Sequence, residues 1–336
     1  RYLRFVFITG VTKFSQLGNF SNLNQFMDIS MAPAYATICG MTKVEIERDF
    51  QPELAALATM NKLTYEQTVN EMTKRYDGYH FSEFLSDGIY NPFSVLNALV
   101  QKRFSSYWFA TGTPTMLVDT LKKTDYDLRQ LDGIEVPSAA LIDYRADFHN
   151  PVPIIYQSGY LTIKGYDPAK DFYTLDFPNA EVKYGWLNFI TPYYTPLSES
   201  TAPFYIGKFW DELRAGDVDA FMERLHAFFE GIPYELNSKT ERHYQVIFYI
   251  VFKLLGQYVD AEVRSARGRA DAVVKTTDYI YVFEFKLDGS VDEVLRQIDE
   301  KGYLIPYTVD SRQLVKVGAS FDKEKRNIGE WKAIFC

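Results

Sequence analysis

The chain has 336 residues, 47% of them hydrophobic and 24% charged, which excludes a disordered polypeptide and suffices for two domains or one large one. A formal net charge of −8 excludes a global basic footprint, arguing against a tight, metal-independent DNA binder more than against an enzyme whose bound cations offset phosphate repulsion. The 2 cysteines, Cys39 and Cys336, imply no disulfide framework. Without a signal-peptide pattern or a run of about 18 apolar residues, a cytoplasmic protein with no membrane contact is expected.

Tyr2 to Gly10 reads as a buried strand ending in a Gly turn. Opening at Arg1 on such a run, the chain reads as a piece of a longer protein. Phe14 to Phe26 is polar enough for a loop and short helix. Thr42 and Glu45 have the spacing of a capping box and open a helix, and Thr64 with Gln67 opens another. Residues 54–61 and 64–75 continue helical. Asp77-Gly78 is a turn, and Asn91 can cap a helix that begins with Pro92. Residues 108–123 read as a further helix, residues 154–163 and 172–177 as strands. Pro192, Pro196 and Pro203 make 186–203 the linker candidate, so the domains are placed at 1–200 and 204–336.

Beyond it, 207–215, 218–229 and 239–256 carry apolar residues at helical spacing, the last with Tyr244, Ile247, Phe248, Val251, Leu254 and Leu255 in one stripe. Strands are expected at 258–264, 269–275 and 279–286, a helix at 291–301, and strands at 314–320 and 328–335.

The strongest functional signal is Tyr-Ile-Tyr-Val-Phe-Glu-Phe-Lys at 279–286. Side chains alternate across a strand, so Ile280, Val282, Glu284 and Lys286 share one face. A charge in so apolar a strand is costly unless paired or bound to a metal. The preceding strand brings its own charge, Asp271. Phosphodiester hydrolysis needs an activated water and neutralised phosphate charge, which Mg²⁺ or Mn²⁺ on oxygen ligands provides. Asp271, Glu284 and the backbone carbonyl of Phe285 are candidate ligands, and Glu241 could add a carboxylate through water. Lys286 could position or deprotonate the attacking water or stabilise developing charge. Gln297 could orient the phosphate or the lysine.

The structural alternative pairs Glu284 with Lys286, and Asp271 with Arg269 or Arg267. It is the ordinary outcome for a lone Glu-x-Lys, but three candidate residues in chain order around that motif, Glu241, Asp271 and Gln297, favour a site. Arg264, Arg267 and Arg269 could track a phosphate backbone or simply solvate a hairpin. His80, His149, His226 and His243 are scattered, and neither cysteine is placed for nucleophilic catalysis.

Glu241, then Gly268-Arg269-Ala270-Asp271, then Val282-Phe283-Glu284-Phe285-Lys286, then Leu295-Arg296-Gln297-Ile298 with Tyr303, resembles the PD-(D/E)xK nuclease superfamily. The branch most resembled is the one fused to AAA-ATPase-like proteins of gut and anaerobic bacteria. The resemblance implies an α/β (α+β mixed) restriction-endonuclease-like domain, its central mixed sheet flanked by helices. It also implies metal ligation by Asp271 and Glu284, with Lys286, Glu241 and Gln297 in supporting roles. Ala270 departs from the family, which has Pro before the Asp.

Phe5-Val6-Phe7-Ile8-Thr9-Gly10-Val11 resembles the sensor strand of the ATPase partner. Tyr76-Asp77-Gly78-Tyr79 with Tyr90-Asn91-Pro92-Phe93-Ser94 resembles its helical lid, and Tyr107-Trp108 to Thr113 the segment after it. The resemblance implies ATP binding, but the phosphate-cradling GxxxxGK[ST] loop is absent, so ATP hydrolysis is not expected from these residues alone. The expected function is a Mg²⁺- or Mn²⁺-dependent nuclease, an endonuclease in family terms, acting on nucleic acid with DNA favoured and with room for a homo-oligomer. The alternative is a non-catalytic nucleic-acid or protein interaction module on a degenerate ATPase scaffold.

Overall fold

Local hydrogen bonds fix where the first helices begin. Thr42 accepts from the Glu45 amide while Glu45 accepts from the Thr42 amide, which starts α1 (Lys43–Asp49). After α2 (Gln51–Asn61), Thr64 and Gln67 make the same exchange and start α3 (Tyr65–Tyr76). Asn91 caps α4 (Pro92–Gln101), with Pro92 at its first position. These expectations from sequence hold.

The computed structural model describes residues 4–10, 27–84, 87–108, 117, 121, 126–142, 150–195, 197–198, 200–232, 241–256, 271–287, 289–322 and 324–336, without the side chains of 142 and 241–243. The expected strand at 258–264, the loop and helix at 14–26 and most of the helix at 108–123 lie outside these residues. The chain divides into two compact units, Arg1–Trp186 and Leu187–Cys336.

In the first unit the helices close on Leu54, Leu57, Met72, Tyr76 and Val95. Strands β1 (Ile134–Pro137), β2 (Thr162–Asp167) and β3 (Phe172–Asp176) form an antiparallel sheet in the order β1-β3-β2. Short helices α5 (Ser138–Ile142) and α6 (Val152–Gln157) lie between β1 and β2 in sequence. Glu181, at the start of α7 (Ala180–Tyr194), is buried and accepts from Ser94 Oγ at 2.7 Å and from the amides of Tyr107 and Trp108. It ties α4 to the segment that follows that helix.

Two expectations fail in this half. Residues 152–157 are helical rather than extended, because Pro153 in the first turn costs no intrahelical hydrogen bond and burial of Val152 and Ile155 overrides their β-propensity. Residues 186–194, within the expected linker, continue α7 through Pro192, and the boundary between the two compact units, Trp186 to Leu187, falls at the start of that stretch. Residues 4–10 form no strand and are not buried. Phe5 is 79% exposed, and no strand among the described residues pairs with the segment.

The second unit opens with three helices, α8 (Ala202–Ala215), α9 (Val218–Glu230) and α10 (Glu241–Leu255). Strands β4 (Ala272–Lys275), β5 (Tyr279–Leu287), β6 (Gln313–Asp322) and β7 (Asn327–Phe335) form a sheet in that order. β4 is antiparallel to β5 and β7 to β6, whereas β5 and β6 run parallel. A parallel pair needs a crossover, and α11 (Val291–Glu300) supplies it.

The period-2 pattern of β5 sorts its residues between two cores. Ile280 and Val282 pack with Val291, Leu295 and Ile298 of α11. Tyr281, Phe283 and Phe285 turn to the other face. Phe285 stacks on Phe248 of α10 with centroids 4.1 Å apart, and Phe283 meets Phe221 of α9 and Phe252 of α10. Glu284 thereby falls on the α11 face.

Gly216 closes α8 at φ +82, where a side chain is strained, and a Cβ there would lie 2.6 Å from Tyr279 Oη. Gly216→Ala is expected to lower unfolding stability by about 1–3 kcal/mol in urea denaturation, from the left-handed backbone and the displaced ring together. A loss below about 0.5 kcal/mol would show that Tyr279 moves away freely.

Candidate active site

Register builds the site. Ala272 of β4 stands opposite Phe283 of β5, so Asp271, one residue earlier, stands opposite Glu284. The two strands hold each other's carboxylates. The Asp271 amide donates to Glu284 Oε2 at 3.2 Å, and the Phe285 amide donates to Asp271 Oδ2 at 2.8 Å. The second Glu284 oxygen accepts from Gln297 Nε2 of α11. Glu284 is 7% exposed while Asp271 is open to solvent. The carboxyl of Glu284 is pushed up to about 7, first by burial and next by the charge of Asp271. Its bonds to Gln297 and the Asp271 amide oppose that rise only in part.

Three of the expected residues are thus brought together: Asp271, Glu284 and Gln297, with Gln297 on the glutamate rather than on Lys286. Lys286 departs from expectation. It lies two residues beyond Glu284, yet its ammonium pairs with Glu293 Oε2 at 2.8 Å and is half-exposed. The structural Glu284–Lys286 pair does not form either. Glu293 sits in the first turn of α11, capped by Ser290, and offers the ammonium a solvated partner without the burial cost carried by Glu284. Phe285 contributes backbone between the two key side chains and turns its ring away. Glu241 is the first residue of α10, and its side chain lies outside the described residues, as do Arg264, Arg267 and Arg269.

Sequence reasoning missed Lys301. Its ammonium lies 5.7 Å from the centroid of the Tyr303 ring, and the charges of both Glu284 and Asp271 act on it. Hydrogen bonding to Tyr303 is the main cause holding its pKa above the ordinary value. The signal was present: Lys301 follows Gln297 by four residues, one helical turn along the same face.

Among the described residues no three His, Cys, Asp or Glu side chains cluster. Two facing carboxylates, one buried and reluctant to ionise, nonetheless form the oxygen donor set that suits a hard divalent cation retaining several waters.

A carboxyl whose folded pKa is raised contributes stability at pH below its unfolded pKa and loses it as pH climbs through the folded value. For metal-free protein, Glu284 should therefore cost on the order of 3 kcal/mol between about pH 4.5 and 7.5. In Glu284→Gln, Gln297 can reverse its amide and keep the contact. Urea denaturation in chelator should find this variant more stable than wild type at pH 7.5, with a flatter pH slope. An unchanged slope would assign the pH dependence to other groups.

Residues 239–331, which span α10 through most of β7, match the family model described as the PD-(D/E)XK nuclease superfamily. The chain is also 30% identical over 336 residues to an "Uncharacterized protein in vnfD 5'region" of Azotobacter chroococcum mcd 1, an alignment covering 97% of this chain. The chain spans 62% of the length of that curated relative. No solved structure matches it. Over residues 239–331, then, this chain carries a PD-(D/E)xK nuclease superfamily domain on a mixed α/β fold of the restriction-endonuclease type.

Proposed function

We propose that the second unit hydrolyses phosphodiester bonds in nucleic acid, with DNA the favoured polymer, using Mg²⁺ or Mn²⁺ held by Asp271, Glu284 and the Phe285 carbonyl. The observation that carries the reading is the apposition of Asp271 and the buried Glu284 across β4 and β5, with Gln297 fixing the glutamate. When bound, the cation supplies positive charge and Lewis acidity to the reacting phosphate and the attacking water. The protein residues have separate tasks. Asp271 is held by the Phe285 amide so that its remaining lone pairs face the site. Gln297 keeps the Glu284 carboxylate from rotating. Lys286, on the same strand face, reaches the developing charge when it leaves Glu293. Glu241 adds a carboxylate through water.

Residues 1–200 are proposed to be an AAA-ATPase-like region without its phosphate-binding loop, a scaffold rather than a motor. The reading rests on the resemblance of Tyr76-Asp77-Gly78-Tyr79 and Tyr90-Asn91-Pro92-Phe93-Ser94 to that family's helical lid. The protein is placed in the cytoplasm, and among the described residues no helix is long and apolar enough to cross a membrane. The net charge of −8 and the engagement of Lys286 by Glu293 favour one competing reading, a non-catalytic interaction module.

Labelled DNA and RNA, single- and double-stranded, should be cleaved by the wild-type chain in Mn²⁺ and left intact in chelator. Asp271→Ala and Glu284→Ala should each lower the rate at least about a hundredfold, and Gln297→Ala about ten- to a hundredfold. Activity surviving both carboxylate substitutions removes these residues from the chemistry. Absent cleavage together with absent Mn²⁺ uptake in calorimetry favours the module.

A further inference from the structure

The site holds two lysines, and the one the strand motif points to is engaged elsewhere. Lys286 is paired with Glu293 at the N-terminal end of α11. Lys301 stands at the other end of the same helix, one turn beyond Gln297 on the face that meets Glu284. Its placement is built into the chain. The Lys301 amide bonds back to the Gln297 carbonyl, Gly302 adopts φ +63, and the Tyr303 amide returns to the Ile298 carbonyl. That reversal brings Tyr303 back against the cluster of Ile280, Val282 and Leu295, and the anchored ring then carries the Lys301 ammonium. An exposed lysine ordinarily swings freely. Here one side of its range is bounded by an aromatic ring, and the charges of Glu284 and Asp271 lie near enough to act on it.

We propose that Lys301, steered by Tyr303, is the cation that contacts the substrate phosphate beside the Asp271–Glu284 pair. The assignment rests on the nuclease reading. A phosphodiester approaching the pair meets the carboxylates of Asp271 and Glu284, and among the described residues the strand's own ammonium, Lys286, is taken up by Glu293, so a second ammonium from the end of α11 offsets them. Lys301 supplies it without breaking an existing ion pair, whereas Lys286 must first leave Glu293. Lys301 is then a phosphate-binding residue, and Tyr303 a positioning residue that acts through it.

The test compares Lys301→Ala, Lys301→Arg, Tyr303→Phe and Glu284→Ala in the full chain. Cleavage is followed on whichever labelled polymer the wild type cuts, across a range of salt. Lys301→Ala should raise KM about tenfold or more with a smaller change in kcat, and reduce the dependence of log(kcat/KM) on log[salt] by about 0.7–0.9. Lys301→Arg should restore both, and Tyr303→Phe should fall between. Calorimetry with Mn²⁺ alone should find binding to Lys301→Ala unchanged or tighter, since a repelling charge is gone; a merely structural lysine would not produce that combination. If Glu284→Ala is inert while Lys301→Ala keeps wild-type KM and salt slope, the Lys301 assignment falls and the nuclease reading stands. If Glu284→Ala cleaves normally, or the wild type cleaves nothing, the nuclease reading falls and takes the assignment with it.

Discussion

Two carboxylates facing one another across an antiparallel strand pair are the constraint on which the second unit turns. Like charges directly opposite in a sheet are destabilising, and burial of one of them adds to the cost. Ile280 and Val282 show what this face of β5 otherwise contains, and a third aliphatic residue at 284 would continue the α11 core. The chain instead spends hydrogen bonds to keep the charged pair in place: two backbone amides, each from the partner strand, and the Gln297 side chain. Stability does not call for such an arrangement. A buried carboxyl poised near neutrality beside a second carboxylate is the condition under which a cation binds and chemistry follows.

The opposite face of the sheet makes that pair rigid. Tyr281, Phe283 and Phe285 form a ladder whose members interleave with Phe221, Phe248 and Phe252, and Tyr281 Oη donates to the Leu213 carbonyl at 2.6 Å. β5 is also hydrogen-bonded along its length to β6 and, over its first half, to β4. A strand fixed on three sides cannot slip by one residue. Such a slip would exchange its faces, moving Glu284 among the aromatic rings and Phe285 under α11. The aromatic richness of the sequence thus serves precision at a carboxylate pair on the opposite face of the same strand. Supporting packing of this kind is what holds ligand-bearing side chains within the small tolerances that catalysis demands.

How much of this could be read from the chain depends on how local each cause is. Capping boxes at Thr42 and Thr64, the Asn91-Pro92 start and the alternation of β5 are short-range, and each appears where the residue pattern puts it. The pairing of Asp271 with Glu284 was legible for the same reason: a tight turn between two strands leaves few registers. Failures came where distant burial decided. The Val152–Ile155 run has β-branched composition but packs as a helix, and Pro192 sits inside a helix that buried Trp186 helps to anchor. Lys286 is expected from the strand pattern to serve the reacting water or phosphate, or else to pair with Glu284; its actual partner, seven residues on, depends on where α11 begins. Lys301 escaped notice because its role arises from the reversal at Gly302, which returns Tyr303 beneath it.

The acidic balance of the chain is less of an obstacle to a polyanionic substrate than it first looks. Exposed charges are screened beyond roughly 8–10 Å at physiological salt, so a net charge of −8 spread over 336 residues says little about the field within one cleft. What matters there is the local sum. Asp271 and Glu284 contribute at most two negative charges, and less while Glu284 holds its proton. Under the proposed function, a divalent cation would cancel them. Lys301 follows the C-terminal end of α11, while the charge of Lys286, on β5, is offset by Glu293 in the first turn of that helix, so Lys301 is the lysine left to add positive charge there. On this account the unloaded site repels phosphate and the loaded one attracts it. Metal and substrate binding are thereby coupled through charge alone, with no conformational change required to link them.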